Sequence, residues 1–410
     1  MDNLKRKQNY IVKTVKKDNR KMLLDSWSVS GTKKEDMFTY LSDIEDSTKI
    51  FPSRTDEIQL FTLNYADAEE KVFSGYRHGT SYGTIEDTIP FAKLRKYDGM
   101  NTELMSETEN KSKMLILMGN DIFFTTKKVL PTLAQRAGSS TGKFASMNEL
   151  KIRFHRDAGY VAYMEACPSP CNIMFRKCGN AKKIFAVFSD SYTVISQKEL
   201  LHSFIDCFEK EMGSCEVYYK IDNFNTEITL EFPHYKAFNL SSDLKQDVVP
   251  GIRILMSDTG ESSFSVIGTI RFGTGICYVP GSLYNRKHTK NASVEEIAAE
   301  TKKSIVPKYS KYPKKINELR KIYIDDVENT LKKVLSSCGF KSSISAKVEN
   351  EISSTVHESI KHVDKISAYD LTSAIIEACD FISEDTCDKV SEKLRNCSVK
   401  SIFYKYDTKD

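Results

Sequence analysis

The amino-acid sequence predicts an α+β protein: an antiparallel sheet with a helix across one face, followed by a mainly helical C-terminal region. Three observations lead to this prediction. Residues 196–213 have a capping motif, an apolar stripe and a terminating glycine, as in an amphipathic helix. Residues 215–279 contain several short strand candidates separated by turns. From residue 293 onward, apolar residues recur at helical spacing. The unit at 184–289 is therefore the expected centre of the fold.

The central helix has signals at both of its ends. Ser196 and Glu199 form a capping box, which satisfies backbone donors in the first turn. Gly213 follows as a natural helix stop. Between them, apolar residues recur at positions that share one helical face: Leu200, Leu201, Phe204, Ile205 and Phe208.

The predicted strands lie on both sides of this helix in the chain. An apolar run at 184–188 precedes it, and five candidates follow at 215–221, 226–232, 252–256, 263–272 and 275–279. Ile228, Leu230 and Phe232 alternate with polar residues, as expected for a strand with one buried face. Turns are expected at 222–225 and at Asp258-Thr259-Gly260. The order of a strand, a helix and further strands favours an antiparallel sheet with the helix across one face.

The remaining elements are mostly helices. A second capping box, Ser293 with Glu296, opens the C-terminal region. Apolar spacing then predicts a long helix through 316–334 that ends near Gly339, and others at 344–360, 369–382 and 384–396, the last capped by Ser383. Upstream, residues 113–119 predict a buried strand and residues 127–137 a helix.

Charged residues are unevenly distributed, although the net charge of the 410 residues is only +4. Residues 1–34 carry ten Lys/Arg against three Asp/Glu, residues 35–90 four against twelve, and residues 285–321 eleven against four. We therefore divide the chain into a basic N-terminal arm (1–34), an irregular acidic region (35–112), an α+β core (113–290) and a helical region (291–410). The basic zones favour a polyanionic partner.

Several classes of protein are disfavoured by the composition. No apolar run approaches the roughly 20 residues that a membrane-spanning helix needs, and the basic N-terminus lacks the apolar core of a signal peptide. Ten cysteines in 410 residues are too few for a disulfide scaffold. We expect reduced thiols in a cytosol and no membrane partner.

Cys167, Cys171 and Cys178 form the candidate metal cluster, with His155 as a fourth candidate ligand. Structural zinc sites usually take four ligands in two close pairs. The first spacing is one residue longer than in a typical knuckle and no second pair is evident, so the sequence predicts buried or loop thiols, no metal and no cofactor.

Three patterns that are typical of enzymes are incomplete. Residues 138–143 resemble a phosphate-binding loop, but Phe144 stands where magnesium needs a hydroxyl ligand. Asp258 lies in a single Asp-Thr-Gly turn, whereas aspartic proteases pair two carboxylates. Cys277 and His288 have nothing in the sequence to orient them as nucleophile and base. The sequence favours a protein that is not an enzyme, with a thiol- or metal-dependent enzyme as an alternative.

A basic and aromatic segment at 302–323 favours contact with nucleic acid. Lysines neutralise phosphates, and tyrosine rings offer faces on which single-stranded bases stack. The part before Pro313 is expected to be extended and the part after it helical, with Lys314, Lys321 and Arg320 projecting together. The alternative is a solvated linker. The candidate nucleic-acid-binding residues are Lys302, Lys303, Lys308, Tyr309, Lys311, Tyr312, Lys314, Lys315 and Lys321, with Arg286, Lys287 and His288.

Short motifs are spread over roughly residues 115–397. They are Ser189-Asp190-Ser191-Tyr192 before the central helix, Asp258-Thr259-Gly260, Cys277, Arg286-Lys287-His288-Thr289 and Tyr369-Asp370-Leu371. Together they resemble the phage/plasmid-like protein family, a domain of unknown function. The chain departs from that pattern by the inserted Lys287 and by Tyr278, where an Asn often follows the cysteine. The resemblance implies a phage or plasmid setting in a bacterial host cytoplasm and no particular activity.

These observations lead to one expected function and one further alternative. We expect a phage or mobile-element protein that binds nucleic acid, single-stranded in preference, without strong sequence preference, as a homo-oligomer active in strand annealing or recombination. A helix across an antiparallel sheet is similar in outline to phage single-strand annealing proteins, which is a likeness of fold alone. The alternative is a phage structural or interaction protein that assembles with itself or with a host factor and has no nucleic-acid role.

Overall fold

The fold is α+β, as the sequence predicts: two largely antiparallel sheets are followed by a helical C-terminal region. We describe it from a computed structural model, which covers residues 19–66, 70–78, 84–136, 168–192, 195–245, 247–260, 262–286, 293–340, 344–361, 365–384 and 388–406. Among these residues, no helix is both long and apolar enough to cross a membrane.

The strands of the described chain follow in this order: β1 (Ser28–Gly31), β2 (Thr48–Arg54), β3 (Gln59–Ala66), β4 (Glu70–His78), β5 (Thr84–Pro90), β6 (Met114–Met118), β7 (Asp121–Thr125), β8 (Pro170–Cys178), β9 (Ala181–Ser189), β10 (Glu216–Asp222), β11 (Thr226–Glu231), β12 (Val248–Met256), β13 (Phe264–Phe272), β14 (Gly275–Tyr278) and β15 (Tyr284–Arg286).

The α-helices of the described chain are α1 (Lys34–Ser47), α2 (Thr102–Glu107), α3 (Val129–Arg136), α4 (Gln197–Met212), α5 (Val294–Ile305), α6 (Tyr312–Leu319), α7 (Val327–Ser337), α8 (Ala346–Ile360), α9 (Ala368–Glu384) and α10 (Asp388–Ser398). Short 3₁₀ helices join several of these elements, including Phe91–Lys96, Val306–Lys311 and Val399–Phe403.

The strands form two sheets. A seven-stranded sheet has the order β1-β10-β11-β12-β13-β14, and β15 also pairs with β13. An eight-stranded sheet has the order β2-β8-β9-β7-β6-β3-β4-β5. The paired strands of the described chain run antiparallel except β7 and β9, which run parallel. Apolar residues of both sheets, such as Phe61, Phe124 and Ile228, belong to one continuous core together with Phe204 of α4.

Helix α4 covers one face of the seven-stranded sheet, as the sequence predicts. Ser196 caps it by accepting a hydrogen bond from the Glu199 amide at 3.1 Å. The helix ends at Gly213, whose φ of +88° favours glycine. Its apolar stripe packs on the sheet, where the Phe208 ring lies 6.1 Å from the Phe232 ring. Helix α1 contacts this cap as well, because its Glu45 carboxylate accepts a 2.8 Å hydrogen bond from the Ser196 hydroxyl.

Two expectations about the first half of the chain are wrong. The apolar run at 184–188 lies in β9, so it belongs to the eight-stranded sheet and not to the sheet that α4 covers. The region at 35–112 is not irregular, since it contains α1, β2 to β5 and α2. One of its strands, β2, pairs with β8 more than a hundred positions later in the chain, and a local pattern does not reveal such a partner.

The expected long helix through 316–334 is also interrupted. Helix α6 ends at Leu319, and α7 starts after Asp326, whose carboxylate caps it by accepting from the Asn329 amide at 3.0 Å. Between them the backbone pairs with the residues just before α9, because the Ile324 amide donates to the Ile366 carbonyl at 3.0 Å. Ser383, expected as a cap, lies inside α9. A capping aspartate and a backbone bridge therefore outweigh the helical spacing.

Candidate nucleic-acid interface

The basic segment is helical from Lys302 to Leu319, and the expectation of an extended stretch before Pro313 is wrong. Ser293 and Glu296 form the expected capping box, with reciprocal hydrogen bonds of 3.2 and 3.1 Å. Helix α5 then runs directly into the 3₁₀ helix Val306–Lys311 and into α6. Pro307 and Pro313 each lie in the first turn of a helix. Backbone amides have no intrahelical acceptor there, so a proline removes no hydrogen bond.

Tyr309 and Tyr312 lie on the inward side of this segment. The Tyr309 side chain is 1% exposed and its hydroxyl donates a hydrogen bond to the Gly251 carbonyl on β12. Tyr312 is fully buried, with its ring 5.1 Å from that of Phe403. Neither ring is open to a base, so the expectation that they stack on bases is wrong. Their spacing with Ile305 and Ile316 is itself a helical apolar stripe, and that signal identifies them as core residues.

The outward side of the same segment carries exposed lysines. Lys308, Lys311 and Lys314 follow one another at three-residue spacing and are all exposed. Residues three apart eclipse each other in a 3₁₀ helix and are neighbours on an α-helix, so the three side chains form one line, which we call the lysine ridge. No carboxylate is within ion-pairing distance of the ridge among the residues that the structure describes.

The other predicted lysines are divided between paired and open positions. Lys302 lies 3.7 Å from the Glu211 carboxylate, and Lys315 lies 3.5 Å from Glu318 on the next turn. Lys303 and Lys321 are exposed at the two ends of the segment. Arg320 is also exposed, but its charge is paired, because its guanidinium lies 3.5 Å from Asp243 and 3.1 Å from Asp370. The open positive charge is therefore concentrated on the ridge.

The predicted residues after β13 are only partly described. Arg286 is the last residue of β15, where its backbone pairs opposite Phe264. Lys287 and His288 lie outside the described residues. The expectation that these residues contact nucleic acid therefore stays a prediction.

One aromatic residue beside the ridge was missed by the sequence reasoning. Phe403 closes the C-terminal 3₁₀ helix and is 39% exposed. The Lys311 ammonium lies 5.2 Å from the centre of its ring, within the range of a cation–π contact. Phe403 is about ninety positions from Lys311 in the chain, so no local pattern could have placed them together.

The residues considered for metal or nucleophilic chemistry are dispersed. Cys171 and Cys178 lie at opposite ends of β8, roughly 20 Å apart at the rise of a strand, and Cys167 and His155 are outside the described residues. No group of three metal-ligating side chains occurs in the described part of the chain. Burial raises the pKa of the Cys171 thiol to about 11, which keeps it protonated and unreactive.

The other two enzyme-like residues have structural roles. Cys277 is buried, its thiol donates to the Ile270 carbonyl at 3.4 Å, and burial raises its pKa well above the usual range. Asp258 sits in the expected turn and pairs with the buried Arg176 of β8 at 2.9 Å, which ties the two sheets together. The glycine-rich loop at 138–143 lies outside the described residues.

A second polar cluster joins the seven-stranded sheet to α9 and α10. The Tyr278 phenol oxygen accepts hydrogen bonds from both Arg253 and Arg395. Each arginine also has a carboxylate partner, since Arg253 pairs with Glu227 at 2.8 Å and Arg395 with Asp380 at 2.7 Å. Burial raises the pKa of Glu227, but the nearby Arg253 outweighs it and the net pKa is lowered. The cluster is electrically balanced, so it holds the helices to the sheet and offers no net charge to a ligand.

Comparison of the chain with models of known protein families, with curated proteins and with solved structures gave no match.

Proposed function

We propose that this protein binds single-stranded nucleic acid without strong sequence preference, through the lysine ridge and the Phe403 ring beside it. The observation that carries the proposal is the line of three exposed lysines, Lys308, Lys311 and Lys314, with no carboxylate to neutralise them in the described part of the chain. Lysine ammonium groups neutralise phosphates without reading the bases. Such contacts give affinity that depends little on sequence.

The ridge is rigid because its opposite side is buried. Ile305, Tyr309 and Ile316 are at most 1% exposed and fix the segment against the seven-stranded sheet. A rise of about 2 Å per residue in a 3₁₀ helix places successive ridge residues roughly 6 Å apart along the surface. Their long side chains can then follow a flexible backbone of phosphates, while the fixed helix lowers the entropy lost on binding.

Phe403 supplies the stacking surface that the buried tyrosines do not. Its ring is partly exposed and is fixed from below by Tyr312. A base held on the ridge by its phosphate is therefore offered a neighbouring aromatic face, and stacking of this kind contributes about 1–3 kcal/mol per base. The combination favours single strands, because bases in a duplex are already stacked on each other.

The direct test is binding of fluorescent single-stranded oligonucleotides of two unrelated sequences, followed by anisotropy. We expect the triple variant Lys308→Gln, Lys311→Gln, Lys314→Gln to bind both sequences more weakly by similar factors. Phe403→Ala should weaken single-strand binding by about 1–3 kcal/mol and leave duplex binding nearly unchanged.

The matched control removes the same amount of charge elsewhere. Lys49, Lys347 and Lys389 are exposed and lie outside the ridge, so their triple change to Gln should leave affinity nearly as in the unmodified protein. Equal affinity of ridge and control variants would contradict the proposal. Binding by neither variant nor the unmodified protein would favour a structural or interaction protein instead.

A further inference from the structure

A pocket of about 430 Å³ lies at one end of the eight-stranded sheet, and none of the ridge lysines lines it. It is formed where the turn between β6 and β7 meets the turn between β8 and β9, because β7 and β9 are neighbours in the sheet. The 3₁₀ helix Phe91–Lys96 and Tyr97 close a third side. The volume falls within the range of small-molecule sites in proteins.

The base of this pocket is held in place by backbone contacts. The amides of Asn180 and Ala181 both donate to the Asp98 carbonyl at 2.9 Å. Gly99 has a φ of +90°, and a Cβ there would lie 2.0 Å from the Cys178 carbonyl oxygen, so only glycine fits this close approach. The turn between β8 and β9 is thus joined to the residues that follow the 3₁₀ helix.

The pocket has an unbalanced positive charge. Lys177 and Lys182 stand directly opposite each other on β8 and β9, an arrangement of like charges that destabilises a sheet. Asp121 pairs with Lys182 at 2.7 Å and neutralises only one of them. Lys96 and Lys177 are exposed and have no carboxylate partner among the residues that the structure describes. Among the side chains that line the pocket, three lysines and one aspartate leave two positive charges, and the Asp98 carboxylate near Gly179 is not part of this lining.

We propose that this pocket binds a phosphate monoester, as carried by a free nucleotide or by the 5′-phosphorylated end of a strand. A monoester is a dianion near neutral pH, which matches the two uncompensated lysines better than the single charge of an internal phosphodiester. Lysine binds phosphate as a point charge, and the Tyr97 phenol and the Asn180 amide are hydrogen-bond donors in the same wall. A dianion between Lys177 and Lys182 also relieves their mutual repulsion.

Isothermal titration with adenosine monophosphate and with adenosine tests the phosphate requirement. We expect the monophosphate to bind and adenosine to bind at least about tenfold more weakly. The double variant Lys96→Gln, Lys177→Gln should lose at least about tenfold in affinity for the monophosphate. Its thermal unfolding midpoint should not fall, because the substitution at Lys177 removes a repulsive pair.

A control double variant, Lys93→Gln with Lys49→Gln, removes the same charge from the same part of the fold, outside the pocket lining, and should bind the monophosphate normally. The ridge variant should also bind it normally, so failure here is separable from failure of the ridge. A 5′-phosphorylated oligonucleotide compared with its 5′-hydroxyl form distinguishes a strand end from a free nucleotide as the source. If neither phosphorylated ligand binds better than its unphosphorylated form, or if the pocket variant binds both as the unmodified protein does, the pocket is not a phosphate site.

Discussion

Replacing Lys183 by methionine is expected to destabilise the protein strongly, because it removes the cation that pairs with Asp25 and one of the two lysines that pair with Glu107, the other being Lys111. Lys183 is 1% exposed in the eight-stranded sheet. Its ammonium lies 2.6 Å from the Glu107 carboxylate and 2.8 Å from the Asp25 carboxylate. The contact with Asp25 is an ion pair whose geometry does not fit a hydrogen bond. Breaking a buried ion pair by removing one partner typically costs about 3–5 kcal/mol.

The protein offers a matched comparison one residue away on the same strand. Lys182 pairs with Asp121, whose side chain is 59% exposed, so water replaces the lost contact. Lys182→Met should therefore cost less than about 1 kcal/mol. Adding Glu107→Gln to Lys183→Met should restore part of the loss, since the glutamine oxygen still accepts from the Asp25 amide and one stranded charge is gone.

Urea unfolding followed by tryptophan fluorescence measures these differences. Trp27, the single tryptophan of the chain, is buried two residues from Asp25 and reports on this part of the core. The expected order of unfolding midpoints is unmodified protein and Lys182→Met highest, the double variant intermediate, and Lys183→Met lowest. Equal midpoints for Lys182→Met and Lys183→Met would refute the account of a buried ion cluster.

Two further predictions concern pH and the core of the basic segment. Burial raises the pKa of Glu107, but Lys183 and the hydrogen bonds to the Glu107 carboxylate outweigh burial, so the pKa in the folded protein lies below the ordinary value. The ionised Glu107 therefore contributes its full stabilisation above the pKa of the unfolded state. This contribution is lost as pH falls through the lowered pKa of the folded state. Urea midpoints between neutral and acid pH should show this acid loss, and Lys183→Met should make it smaller. Tyr309→Phe removes the hydrogen bond to the Gly251 carbonyl and should lower the free energy of unfolding by about 1 kcal/mol. We expect its affinity for oligonucleotides to be unchanged within error, because Tyr309 has a structural role only. A loss of affinity like that of Phe403→Ala would contradict this role.

The sequence predicted the parts of the fold that local patterns determine. Ser196 and Gly213 define the ends of α4, and the alternation of apolar and polar residues through Ile228 and Leu230 identifies β11, because both signals are encoded by neighbouring residues. The alternation does not extend to burial, since Thr229 and Glu231 of β11 are buried as well. It did not predict that 184–188 joins a different sheet from the strands after α4. Which strands pair is decided by contacts between residues distant in sequence.

The residues of the candidate site also differ in how far the sequence predicts them. Exposed lysines could be identified from their charge, since charged residues seldom lie inside a core without a partner. Tyr309 and Tyr312 were misread, because a tyrosine fits both a buried stripe and a binding surface. The sequence could not identify Phe403, Lys177 or Lys182 as site residues. Their neighbours in the candidate sites come from parts of the chain that are distant in sequence.

The salt dependence of single-strand binding tests the central proposal most directly. Each phosphate contact contributes about 0.7 to the slope of log affinity against log salt for single strands, so three ridge lysines contribute about 2. Between about 50 and about 200 mM salt, this share alone weakens binding about 20-fold. We expect the variant Lys308→Gln, Lys311→Gln, Lys314→Gln to show a slope about 2 units flatter than the unmodified protein, and the Lys49, Lys347, Lys389 control to keep the full slope. A ridge variant with an unchanged slope would show that phosphates are not bound at Lys308, Lys311 and Lys314.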